Sequence, residues 1–105
     1  MFEKDLKVWV YFDRYGDLLS PKKRAAFEAY YGEDLSLAEI AQETGTSRQA
    51  VRDLIHRTCE ELKAYEEKLH LLRLRETGVA LCERIEKSAS PDERAALLKE
   101  LKELF

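Results

Sequence analysis

The side chains with the most readable chemistry lie between Ser47 and Arg57. On a helix that begins after Ser47, the outward residues are Arg48, Gln49, Arg52, Asp53, His56 and Arg57. Arginine can donate two hydrogen bonds to a guanine edge, and glutamine can pair in the same two-pronged way with adenine. Ser47 can cap the helix and also reach a phosphate. A second basic run, Lys22-Lys23-Arg24, follows Ser20-Pro21 at the start of an earlier helix, where unpaired backbone N–H groups favour anions. The candidate nucleic-acid-binding set is therefore Lys22, Lys23, Arg24, Ser47, Arg48, Gln49, Arg52, His56 and Arg57. Plainer readings stand beside it. The arginines can pair with Asp53, Glu60 or Glu61 at helical spacing, and the Lys22–Arg24 run can be a solvated face. His56 and His70 can both be ordinary surface histidines.

Such a helix must be held by another. The stretch from Leu37 to Arg57 predicts helix, tight turn, helix. Two helices that cross closely need a small inward residue, and Ala41 supplies it. The turn four residues later needs a residue that accepts positive φ, and Gly45 supplies that. Ile40 before the turn, and Val51 and Leu54 after it, can lock the pair. Ser36 with Glu39 predicts a capping box at the start of the first helix. The second helix of such a pair is the one that enters a major groove.

The remaining elements also read as helices. Leu6, Val8, Trp9, Phe12 and Tyr15 recur at three- and four-residue steps, so a helix is predicted over about Glu3 to Tyr15, ended by Gly16 in a left-handed conformation. Ser20-Pro21 opens a second helix with Ala26, Phe27, Tyr30 and Tyr31 inward, closed by Gly32. The helix after Ser47 is predicted to be long. Val51, Ile55, Thr58, Leu62, Tyr65, Leu69 and Leu72 step by four and three, the spacing of a coiled-coil seam, which suits packing or dimerisation. Gly78 predicts a break. Val79 to Lys87 follows with Val79, Cys82 and Ile85 inward. A last helix over about Pro91 to Leu104, with a second capping box at Ser90 and Glu93, buries Leu97, Leu98, Leu101 and Leu104. No strand pattern and no internal repeat emerge. The fold class expected is all-α, as one domain over 1–105, with a helix-turn-helix core over 1–57 and the long helix and C-terminal helices over 58–105.

The 105 residues are 45% hydrophobic and 37% charged, which fits amphipathic helices and does not fit disorder. The net charge of −3 argues against coating nucleic acid by bulk electrostatics, so a binding site must be a local basic patch. Cys59 and Cys82 have neither a CxxC partner nor metal-ligand spacing and read as buried free thiols in a reducing compartment. No metal or cofactor is expected. No apolar run is long enough to span a membrane, and the charged Met1–Asp5 start does not read as a signal peptide, so the cytoplasm is expected. An enzyme is not expected. No Ser/His/Asp or Cys/His set, glycine-rich phosphate loop or carboxylate pair stands out.

The segments Tyr11–Lys22, Asp34–Ala41 and Thr46–Val51, followed by Tyr65-Glu66-Glu67-Lys68-Leu69, resemble the YlxM family of small bacterial helix-turn-helix proteins across roughly Val8 to Leu72. The same unit is similar to the promoter-reading fourth region of sigma factors. The resemblance implies an all-helical, sigma-like helix-turn-helix fold. It also implies a regulatory or accessory role in the signal recognition particle pathway, through the particle's RNA or its GTPase. Two functions remain open: a regulator that binds DNA or RNA, and a protein-interaction adaptor whose helix-turn-helix does not read bases. The apolar stripe and the C-terminal leucines predict a homodimer, with recognition helices about 34 Å apart on DNA.

Overall fold

The computed structural model describes residues 4–105. The expected helix start at Glu3 and the Met1–Glu3 segment lie outside the described residues. The chain divides into two compact units, Met1–Leu69 and His70–Phe105.

In the first unit, α1 spans Leu6–Tyr15, capped by Asp5, whose carboxylate accepts from the Lys7 N–H at 3.0 Å. Val8 and Tyr15 are fully buried, whereas Leu6, expected inward, is 75% exposed. Leu6 precedes Val8 by two residues, about 200° around the helix, so its three-residue step to Trp9 does not bring it to the core side. Gly16 also differs from expectation. Its φ is −57°, and the chain tightens into a 3₁₀ turn over Gly16–Leu18 rather than passing through the left-handed region. Small size is what matters there, because a Cβ would lie 3.0 Å from Phe12 Cε1.

Helix α2, Pro21–Phe27, starts at Ser20, whose Oγ accepts from the Lys23 N–H at 3.3 Å, and it widens into a π turn over Glu28–Gly32. The rings of Trp9, Phe12, Phe27 and Tyr31 stack between α1 and α2, with centroids 4.7 Å apart for Phe12–Phe27 and 4.3 Å for Phe27–Tyr31. The Tyr31 hydroxyl accepts from the Asp5 N–H at 3.0 Å, and burial pushes its pKa up to about 12.

Helix α3, Leu37–Thr44, carries the expected capping box, with both Ser36–Glu39 bonds at 3.1 Å. Gly45 has φ +70°, and the Thr46 N–H returns to the Ala41 carbonyl at 3.0 Å. Helix α4 follows over Arg48–Leu69, its first turn capped by Ser47 Oγ, which accepts from the Ala50 N–H at 3.0 Å. Ile40, Ala41, Val51, Ile55, Thr58 and Leu62 are buried together with Val8, Tyr15 and Phe27. The Thr58 hydroxyl is satisfied by the Leu54 carbonyl at 2.8 Å, which lets a polar residue sit in the apolar stripe. The first four positions of that stripe are thus packed inside this unit.

The stripe does not continue to Leu72. His70 adopts a left-handed φ of 54°, which ends α4, and Leu72 belongs to the next helix. The break expected at Gly78 therefore falls eight residues earlier. Gly78 lies buried within α5, Leu71–Lys87, facing the side chains of Leu104 and Phe105. Packing of α6, Pro91–Leu104, offsets the weak helix propensity of glycine there. Ser90 caps α6 by accepting from the Glu93 N–H at 3.3 Å.

The inward faces of α5 and α6 are rotated from those expected. Gly78 and Leu81 on α5 and Leu97 on α6 are buried, with Ile85, Leu101 and Leu104 half-buried. Val79, Cys82 and Leu98 are exposed, because each sits one residue, about 100°, past a buried position. Of the two free thiols, only Cys59 is buried, and burial raises its pKa.

At Gly45 nothing lies within 4 Å of a would-be Cβ, so a substitution there meets backbone strain alone. Gly45→Ala is expected to cost about 1 kcal/mol, and Gly45→Asn less, since asparagine tolerates this region better. Urea unfolding followed by circular dichroism measures both. Alanine at no cost would mean that the turn does not need its left-handed residue.

Candidate nucleic-acid interface

The α3–α4 packing sets the direction of the α4 N-terminus. Ala41 lets the two helices approach, and Ile40 and Val51, 2% and 3% exposed, fill the angle between them. The starts of both helices then open into one groove of about 670 Å³. Ser36, Leu37 and Ala38 of α3 line it opposite Ser47, Arg48, Gln49 and Arg52 of α4, with Tyr30 beside them. Each helix start presents backbone N–H groups that have no partner within the helix, and the helix dipole adds positive potential there. Two arginines and no carboxylate appear among the described lining residues.

Lys22, His56 and Arg57 belong elsewhere. They line a second groove of about 1040 Å³ between α2, the α3–α4 turn and α4. Its floor is apolar, with Ala26, Ala29, Ile40, Val51 and Leu54, and its rim also carries Glu33, Glu43 and Asp53. The candidate residues are thus split between two flanks of α4.

Lys23 and Arg24 are occupied. Lys23 Nζ lies 2.6 Å from Glu61 Oε1, and Arg24 pairs with Asp17 and, at 3.2 Å, with Glu28. A phosphate would have to displace those carboxylates. The proposed pairing of the recognition arginines with helical acids does not occur at Arg48 or Arg57, which form no ion pair among the described residues. The acids are engaged otherwise. Glu61 takes Lys23 and accepts from the Tyr65 hydroxyl at 2.7 Å, Glu60 lies 3.8 Å from Lys63, and Asp53 accepts from Gln49 at 2.9 Å.

Charge is segregated along α4. Residues 48–57 hold three arginines and one aspartate, whereas residues 60–68 hold four glutamates and two lysines. The net negative charge of the whole chain therefore does not describe the first half of α4. Among the described residues no group of three or more His, Cys, Asp or Glu is placed to hold a metal ion.

Sequence reasoning missed Ser36, Leu37 and Ala38 as part of the site. The capping box marked a helix start, but only the fold brings that start beside Ser47.

A family model described as "Putative helix-turn-helix protein, YlxM / p13 like" matches residues 2–103. The chain is 43% identical to a UPF0122 protein of Geobacillus kaustophilus, the match covering 99% of each. It is 41% identical to one from Oceanobacillus iheyensis, again over 99% of each, and 44% identical to one from Halalkalibacterium halodurans over 96% of each.

The Lys23 hydrogen bond holds the Glu61 carboxyl below its usual value of 4.5, against an opposing effect of burial. A depressed carboxylate contributes stability above its unfolded pKa and loses it as pH falls through the folded one. Lys23→Ala is expected to destabilise by up to about 1 kcal/mol at neutral pH. That difference should close as the pH is lowered below 4.5 in parallel urea titrations. A difference unchanged by acid would contradict the role given to this pair.

Proposed function

This chain belongs to the YlxM/p13-like helix-turn-helix family, and from that premise we propose that it is a nucleic-acid-binding regulator. The observation that carries the proposal is the groove where the starts of α3 and α4 meet beside Arg48 and Arg52, with no carboxylate among its described lining residues. The α4 N-terminus enters the groove of the nucleic acid. Backbone N–H groups and Ser47 hold phosphates, while Arg48, Gln49 and Arg52 reach base edges. Lys22, His56 and Arg57 flank the ligand from the other side of α4.

The working unit is a homodimer, for which the exposed Val79, Leu98 and Phe105 of the second unit offer apolar surface. Two copies of α4 then meet sites about 34 Å apart on a duplex. The resemblance to YlxM proteins points to the signal recognition particle as the setting, through its RNA or its GTPase. The chain acts as a binding protein rather than an enzyme, and in the cytoplasm. Among the described residues no helix is long and apolar enough to cross a membrane.

An adaptor that grips a protein is the second reading. The apolar floor and mixed-charge rim of the second groove favour it.

One titration separates the two. Fluorescence anisotropy is recorded with labelled duplex DNA and, separately, with the particle's RNA, for the wild-type chain and Arg48→Ala/Arg52→Ala, over a range of salt. For one of the two ligands, wild-type affinity is expected to fall steeply with salt. The variant should bind that ligand more weakly, because both arginines contact base edges. Sedimentation of the same samples should read two chains per complex. Binding that ignores both salt and the double substitution would overturn the proposal and favour the adaptor, and a monomeric complex would overturn the dimer.

A further inference from the structure

The exposed face of α4 contains one hydrogen bond between two of its own polar side chains that bears on base recognition. Gln49 Nε2 donates to Asp53 Oδ1 at 2.9 Å, one helical turn further on. Arg57 lies an equal step beyond Asp53 but forms no ion pair among the described residues. Asp53 is therefore engaged by the amide of Gln49 rather than by the guanidinium.

A glutamine amide has two orientations, related by a half-turn that exchanges its oxygen and nitrogen. An ionised carboxylate only accepts hydrogen bonds, so the nitrogen end must face Asp53. The two orientations suit different bases. An amide that presents one N–H and its carbonyl oxygen matches adenine, which offers the N7 acceptor and the N6 amino donor. An amide that presents only its NH₂ group matches guanine, whose N7 and O6 both accept. Asp53 takes one N–H and leaves one N–H and the oxygen.

We infer that Asp53 is a positioning residue: by taking the N–H of Gln49 that is trans to the carbonyl oxygen, it fixes the amide edge that reads adenine and disfavours guanine in duplex DNA. The inference rests on the proposed entry of α4 into a major groove. It is confined to DNA, because the major groove of an A-form RNA helix is too narrow for side chains to read. The charge of Asp53 weakens attraction to phosphates regardless of sequence. Affinity and base preference are thus separable.

The test is selection of bound duplexes from a randomised DNA library by the full chain and by Gln49→Ala, Asp53→Ala, Asp53→Asn and the double alanine variant. The wild-type chain should enrich adenine over guanine at one position per half-site, by about 5- to 150-fold. Gln49→Ala should abolish that enrichment. Asp53→Ala and Asp53→Asn should lower it at the same position while binding the pooled library as tightly as the wild-type chain or more so, and the double variant should lose no more than Gln49→Ala alone. Adenine enrichment that survives both Asp53 substitutions would overturn the inference while leaving the proposed function intact. So would a wild-type chain that binds duplexes with no position dependent on Gln49. A wild-type chain that binds no duplex DNA would overturn the inference together with its premise of groove entry.

Discussion

The contact between α3 and α4 fixes the direction in which α4 leaves the turn. Gly45 turns the backbone through the left-handed region, and the Thr46 N–H closes the turn onto Ala41 at 3.0 Å. Ile40 and Val51 then pack in the angle, with Ile55 and Leu62 extending the seal along α4. Interiors packed this closely do not flex by degrees, so the crossing angle is held rather than adjustable. Two helix starts consequently share one groove. Backbone N–H groups that would otherwise face water in separate places converge beside Arg48 and Arg52.

A chain with net negative charge can still attract an anion if its charges are sorted. The acidic half of α4 is coupled to the body of the first unit. Glu61 holds Lys23 and Tyr65, and Glu66 accepts from the buried Tyr15 hydroxyl at 2.5 Å. These contacts anchor the acidic half of α4 against α1 and α2. Lys23 is removed from the pool of free cations because α2 meets the acidic half of α4 at that point, and Arg24 because it pairs with Asp17 and Glu28. The basic run of α2 thus acts mainly in structure, while Lys22 lines the second groove.

Much of this was legible in the residues. The capping box at Ser36 and Glu39, the serine at Ser47 and the glycine at Gly45 are local signals, and each determines its own few residues with little help from the rest of the chain. The all-helical class and the position of the helix-turn-helix followed from them. Where the sequence misled, the deciding interaction was distant. Gly78 looked like a break, but α6 covers it; His70 looked like an ordinary helical residue, but it takes the left-handed turn. Three- and four-residue spacing alone could not fix the inward side of α1, α5 or α6, so Leu6, Val79, Cys82 and Leu98 fell on the wrong face. The division of the candidate residues between two grooves, and the pairing of Lys23 with Glu61, depend on helix packing that no local pattern encodes, whereas Arg24 meets Glu28 at an ordinary four-residue helical step.

The central claim is that the shared start of α3 and α4 is the surface that meets nucleic acid. Amide hydrogen exchange of the full chain, alone and with saturating duplex DNA or the particle's RNA in separate samples, tests it most directly, since the unpartnered N–H groups of those helix starts are themselves what is measured. The account predicts slowed exchange at residues 37, 38, 48 and 49, the helix-start amides left without a capping or intrahelical partner, with at least one of the two ligands. Protection elsewhere, with those amides exchanging as they do in the free chain, would contradict it.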